Sequence, residues 1–286
     1  MFSRTKLINR LTLCFNKLHS DLYCVIGFYG ILAILFVALS TRWFFHAHLD
    51  PIYAVSLPPA WVVNGDINHI LGTNAQGQDI FYYLLIAYRS TIAMTMKAVF
   101  YVILIGSALN YLMFFVPILR TLILLLFRFC MVIPPLLAVI VISLLIEDNI
   151  TNMLIVIVLS YMPRFIHNIY QQMFKEWHKT YITAYRLDGL SSFTILNNYI
   201  IPNILPVYLT ELVSLFGTAI LAITTLTFLG FANDISRPDL GMMMFQMKDI
   251  ITTNYWAFLS PGIAVAVTIT LVYLFIFGLY GRQESN

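Results

Sequence analysis

Two ionisable side chains, Lys97 and Glu211, fall inside long apolar stretches, and they are where transport chemistry could sit. An ionised group deep in a bilayer costs several kcal/mol unless it is paired or faces water. Two readings stay open for the pair. They line a water-filled pathway, in which Glu211 would attract a cationic substrate, or they make an ion pair or interhelical hydrogen bond that fixes packing. Other chemistry lacks its residues. The chain has no H-E-x-x-H, no G-x-S-x-G and no paired carboxylates on a polar helix face. Gly72 to Gly77 mimics the first half of a phosphate-binding loop without the Lys-Ser/Thr that grips phosphate and magnesium, so ATP hydrolysis by this chain is not expected. His46 and His48 form a close pair with no third ligand and read as interfacial. Cys14, Cys24 and Cys130 have no metal spacing and read as small apolar side chains. No catalytic, cofactor or metal site is expected.

Composition says what must position these groups. Of 286 residues, 60% are hydrophobic and 10% charged, with mean hydropathy +0.84. Soluble domains run at about 45–50% apolar and about 25% charged. Such a chain has lipid as its solvent. Its net charge of +3 is small and its 16 Lys and Arg are scattered, which excludes nucleic acid as a partner. The pattern predicts an all-α integral membrane protein of about six spans. They are read at 22–41, 91–115, 117–145, 152–170, 204–229 and 257–279.

The first run is too long for a signal-peptide core of about 7–15 residues and is read as an uncleaved span. Residues 1–21 carry Arg4, Lys6, Arg10 and Lys17 and form a cytoplasmic segment. Residues 22–90 hold the first span and an outer, periplasmic loop broken by Pro51, Pro58, Pro59, Gly65, Gly72 and Gly77. Residues 91–282 form a five-span core. Within it, Arg120 and Arg128 are placed near the cytoplasmic end of the third span, Glu147-Asp148-Asn149 makes an outer turn, and 230–256 reads as a second outer loop. Eleven basic residues (Arg4, Lys6, Arg10, Lys17, Arg120, Arg128, Arg164, Lys175, Lys179, Arg186, Arg282) fall inside, against four outside (Arg42, Arg89, Arg237, Lys248). That bias places both termini in the cytoplasm. Ser214, Gly217, Thr218, Ala219, Ala222, Thr224 and Thr225 make a small-residue stretch in the fifth span, suited to close helix contact or to a pore wall.

The one long polar interval in the second half of the chain is 175–206. It predicts helix, glycine turn, helix: 180–187 is helix-compatible, Gly189 stops it, and Ser191 or Ser192 caps a second helix from Phe193. Pro202 and Pro206 prevent that second helix from running on unbent.

The residues of this interval resemble a known family. Thr183-Ala184-Tyr185, Gly189, Ile201-Pro202-Asn203 and Leu205-Pro206 are similar to the cytoplasmic E-A-A…G loop of binding-protein-dependent ABC importer permeases. Thr183 stands where Glu is usual and Tyr185 where the second Ala is usual. Leu57-Pro58-Pro59 and Leu71-Gly72-Thr73-Asn74-Ala75-Gln76-Gly77-Gln78-Asp79 resemble the dipeptide/oligopeptide branch, with Asn74 and Gln78 replacing Asp and Arg and removing an ion pair. Asp239-Leu240-Gly241-Met242-Met243 stands where that branch has S-W-G-x-M. Arg186-Leu187-Asp188-Gly189 and Thr210-Glu211 look most like C-type permeases of the Sap group, linked to cationic antimicrobial peptides. The resemblance implies a type I, MetI-like permease fold. It also implies a homologous second permease, two ATPase subunits carrying ATP and magnesium, a periplasmic substrate-binding protein and a bacterial inner membrane. It makes Tyr181, Thr183, Ala184, Tyr185, Asp188, Gly189, Ile201, Pro202 and Pro206 the ATPase-docking positions. A nickel or polyamine permease of the same family, and an ATPase-independent channel or secondary transporter, remain alternatives.

Overall fold

A computed structural model describes residues 21–44, 54–146, 150–231, 238–248, 251 and 254–280. The N-terminal basic cluster, Cys14, His46 and His48, the turn at 147–149, Arg237 and Arg282 lie outside the described residues. Among those described, the chain is helical, with one isolated bridge between Thr73 and Asp79. In order the helices are α1 (Leu22–Phe44), α2 (Ile80–Phe115), α3 (Pro117–Cys130), α4 (Pro135–Ser143), α5 (Ile150–Trp177), α6 (Thr180–Leu187), α7 (Ser192–Ile195), α8 (Ile201–Phe228), α9 (Leu240–Met247) and α10 (Tyr255–Tyr280). A π-helical turn, Leu196–Ile200, joins α7 to α8. Among the described residues, five helices are long and apolar enough to cross a membrane, or six spans if the bent pair α3–α4 counts as one.

Three expected boundaries move. The second span begins at Ile80, so Arg89 lies within the helix rather than in the outer loop. Asp79 starts it, its carboxylate accepting from the amides of Phe81 and Tyr82 at 2.8 and 3.1 Å. The third span is not straight: α3 and α4 meet at 84°. Pro134 and Pro135 remove two successive amide donors, and Pro134, itself followed by a proline, stands outside the helical region at φ −55°, ψ 132°. The second outer loop is not all loop, because it contains α9. Asp239 caps that helix through the amides of Gly241 and Met242, and it takes a 2.6 Å hydrogen bond from the Thr227 hydroxyl.

The core has two lobes. One joins α2, α4, α5 and α8 and extends to Ile182, Ile195, Leu196 and Ile200 of the hairpin. The other joins α1, α2, α8, α9 and α10 around Ile80, Ile220, Leu240 and Ala257. Since lipid tails are as apolar as these side chains, helices hold together through close contact and interhelical hydrogen bonds. Tyr88 meets Thr268 at 2.7 Å, Ser107 meets Tyr208 at 2.7 Å, and the Leu240 amide donates to Thr91 at 3.0 Å. The small-residue stretch divides. Gly217, Ala219 and Ala222 are buried, and Gly217 lies against Val272 of α10. The hydroxyls of Thr218, Thr224 and Thr225 turn back onto carbonyls of their own helix.

Gly241 marks the closest approach of α9 to α8. A Cβ there would overlap the Thr224 carbonyl oxygen and the Thr227 hydroxyl. Gly241→Ala is therefore expected to destabilise the protein by about 1–3 kcal/mol, the usual scale for overpacking. Gly262→Ala, whose nearest neighbour would be the Met244 methyl at 3.6 Å, is expected to be neutral or better. Thermal unfolding of the two variants in detergent micelles checks the contrast.

Candidate coupling hairpin and pathway residues

The polar interval folds as expected at its first turn. α6 ends in a Schellman motif: the Leu190 amide donates to the Tyr185 carbonyl and the Gly189 amide to the Arg186 carbonyl, both at 3.1 Å. Gly189 takes φ +79°, where a side chain is strained. Ser191, not Ser192, is the second cap, its hydroxyl accepting from the Thr194 amide at 3.2 Å. At Pro202 the chain neither stops nor continues as a regular α-helix. The preceding turn widens to a π turn, with the Ile201 amide bonding back to the Leu196 carbonyl, and the helix runs on through Pro206. A wider turn accommodates a ring that would otherwise meet the carbonyl four residues earlier.

A polar hub fastens the hairpin to the bundle. Glu176, 7% exposed at the end of α5, accepts from the Tyr181 hydroxyl, from Asn203 Nδ2 at 3.0 Å and from Lys179 Nζ at 2.6 Å. Asn203 Nδ2 also donates to the Tyr181 hydroxyl at 2.7 Å. Burial, reinforced by the Glu176 carboxylate, pushes the Tyr181 phenol up to about 12, so it stays a donor at any physiological pH. Aromatic contacts close round the hub. The Arg186 guanidinium lies 3.7 Å over the Trp177 ring and donates to its carbonyl, Trp177 meets Phe114 edge-on, and Tyr185 lies 4.2 Å from Tyr199. Asn197 reaches the Tyr111 hydroxyl, and Phe193 stacks on Phe115. The two helices are thus tied to the ends of α2, α5 and α8.

The positions expected to dock a partner divide by orientation. Tyr181, Tyr185 and Pro202 are half-buried, the two tyrosines in the hub and its aromatic shell. Thr183, Ala184, Asp188, Gly189, Ile201 and Pro206 are exposed. Beside them are two apolar residues that the sequence reading passed over, Leu187 at 84% exposure and Phe193 at 60%. Of the hub residues, Glu176 was not singled out in the sequence, and Asn203 entered only as part of the Ile201-Pro202-Asn203 motif. The signal for Glu176 was a carboxylate at the end of an apolar run, three residues before Lys179.

Lys97 and Glu211 are not brought together. Lys97 lies midway along α2 on its exposed side, and its ammonium group has no described partner. Glu211 sits half-buried between α8 and α5, where its carboxylate accepts from Asn168 Nδ2 at 3.0 Å, with Arg164 of α5 within electrostatic reach. For Glu211 the interhelical hydrogen bond is present. Arg120 reaches the Tyr170 hydroxyl at 3.4 Å, but Arg128 lies in the last turn of α3, far from the end where the sequence reading placed it.

Residues 102–285 match the family described as binding-protein-dependent transport system inner membrane component. The chain belongs to that family. This permease is 30% identical over 278 residues to the peptide transport system permease protein SapC of Haemophilus influenzae, covering 92% of the chain and 90% of that protein. It is 26% identical over 291 residues to SapC of Escherichia coli, covering 96% and 94%. It is 27% identical over 242 residues to the dipeptide transport system permease protein DppC of Haemophilus influenzae, covering 82% of each. The permease is a multi-pass inner-membrane component of an ABC-type transport system and not an enzyme.

Proposed function

We propose that this chain is one permease half of an ATP-driven peptide importer. The observation that carries the reading is its likeness, over almost its whole length, to peptide permeases of the SapC and DppC type. Its partners are a homologous second permease, two ATPase subunits holding ATP and magnesium, and a periplasmic protein that delivers the peptide. Both termini and the 175–206 hairpin face the cytoplasm. Thr183, Ala184, Asp188, Gly189 and Ile201 meet an ATPase surface, while Tyr181, Tyr185, Pro202 and Pro206 set the hairpin's shape and angle. Because the hairpin is bonded to the ends of three long helices, its displacement by the closing ATPases tilts those helices between inward-open and outward-open states. ATP biases that equilibrium only through its different affinity for the two states.

Glu211 supports cationic peptides as the substrates to try first. Among the described residues it is the only carboxylate set well inside a span, half-buried between α5 and α8 and held by Asn168 at 3.0 Å. Glu211→Gln is expected to reduce uptake of cationic peptides several-fold more than uptake of neutral dipeptides. Uptake by the reconstituted complex in proteoliposomes tests both points, with cationic peptides, neutral di- and tripeptides, polyamines and nickel as the panel. The expected result is peptide uptake that requires ATP inside. Uptake driven by an ion gradient without the ATPases would make the protein a secondary transporter.

A further inference from the structure

The broken span carries a surface that nothing among the described residues explains. α3 has no buried residue, although it lies in a lipid-solvated protein and packs on α5 along one side. Arg128 sits in its last turn with its guanidinium exposed, making no ion pair or hydrogen bond among the described residues. Beyond it the backbone leaves the helix at Met131–Pro134, where every residue is exposed. Pro117 follows the hairpin end of α2, so Arg128 lies about 17 Å along the span at 1.5 Å per residue. That is close to the middle of a hydrocarbon layer roughly 30 Å thick.

Three environments compete for this elbow. Lipid is the poorest fit, because an unpaired guanidinium and non-helical backbone are both penalised at that depth. Broken backbone is tolerated there only where protein or a water-filled cavity covers it. Water is also a poor fit. Around Arg128 the exposed side chains are Leu122, Leu125, Leu126, Phe129 (69%), Val132 (80%) and Ile133. A surface of large apolar side chains surrounding one arginine has the make-up of the centre of a protein–protein interface.

The required partner also needs an anion. Among the described residues, the only carboxylate of this chain set well inside a span is Glu211, and Asn168 already holds it. The described residues of a second copy would not supply the missing charge. We infer that the elbow at 128–134 is the contact with a different membrane-spanning chain, and that an Asp or Glu inside a span of that partner neutralises Arg128. This rests on the reading of the protein as one half of a two-permease assembly, and it assigns a face and a charge to the join.

The test uses the full chain co-expressed with an epitope-tagged second permease of the same cell and its ATPases. A photoreactive benzoylphenylalanine replaces Val132, and irradiation is done in native membranes. The expected product is a cross-link to the tagged permease. Arg128→Ala should cut co-purification of the tagged chain about tenfold or more, as for truncated interfacial ion pairs, and Arg128→Lys should retain most of it. Failure of the unmodified chain to co-purify with the second permease would remove the two-permease reading and this inference with it. Co-purification with no cross-link from position 132, or with lipid adducts alone, would overturn the inference and leave that reading standing. Labelling of the exposed Cys130 in the intact complex by a membrane-impermeant sulfonated maleimide would also overturn it, because the elbow would then face water.

Discussion

Glu176→Ala is expected to uncouple ATP hydrolysis from transport while leaving the amount of inserted protein unchanged. The carboxylate accepts from Tyr181, Asn203 and Lys179, and among the described residues no other group ties the end of α5 to both the first hairpin helix and the start of α8. Hydrogen bonds to a charged acceptor are each worth about 1.5–3 kcal/mol. Lys179 is largely solvated and Asn203 still bonds the Tyr181 hydroxyl, so the net loss is close to one such bond and should raise the population of a detached hairpin roughly ten- to a hundredfold. The bundle itself depends on apolar contacts elsewhere and should persist. Hydrogen–deuterium exchange of the amides at 182–190 should rise, and peptide-stimulated ATP turnover should fall to the basal rate. Glu176→Gln keeps one oxygen acceptor and should show a smaller change in both. Unchanged exchange in the alanine variant would mean that packing of Ile182, Ile195 and Leu196 holds the hairpin without the hub.

Gly189→Pro should have an effect of similar size for a different physical reason. Proline fixes φ near −65°, whereas Gly189 sits at +79°, and it removes the amide that bonds to the Arg186 carbonyl. The turn cannot close, so the exposed tip at Leu187 and Asp188 loses its place. Gly189→Ala is the informative control. A Cβ at this position meets nothing within 4 Å, leaving only the strain of a left-handed conformation, about 1–2 kcal/mol. Coupled ATP hydrolysis should be lost in the proline variant and reduced modestly in the alanine variant. Wild-type coupling in the Gly189→Pro variant would remove the hairpin from the mechanism.

The two-helix hairpin was legible because its signals are local. A glycine that must adopt positive φ, a serine three residues before the amide it caps and a polar interval in a greasy chain all sit within a few positions of one another. The long apolar helices were legible for the same reason, apart from their ends. The start of α2 was missed because Asp79 caps it two residues after Gly77, so the Pro- and Gly-broken loop runs straight into the helix. Pairings between distant segments were not legible. Asn203 meets Glu176 across 27 positions, and Asp239 meets Thr227 only because α9 folds back onto α8. The Asn74–Gln78 pair falls between these cases. Two neutral amides at these positions cannot form an ion pair, and the structure holds a 2.8 Å hydrogen bond from Asn74 Nδ2 to Gln78 Oε1. Which face of α2 carries Lys97 was also beyond the sequence, since α2 is apolar all round and its facing depends on the helices packed against it.

In the proposed transporter the tip of the hairpin meets an ATPase subunit on the cytoplasmic side. The most direct test of that contact is a photocross-linker at Leu187, the most exposed large apolar residue of the hairpin, in the assembled transporter in native membranes. A cross-link to the ATPase, stronger or weaker when ATP is trapped by vanadate, is the expected result. A probe that reacts only with the periplasmic binding protein, or only with lipid, would put the hairpin on the wrong side or leave it without a partner, and the coupling account would fall.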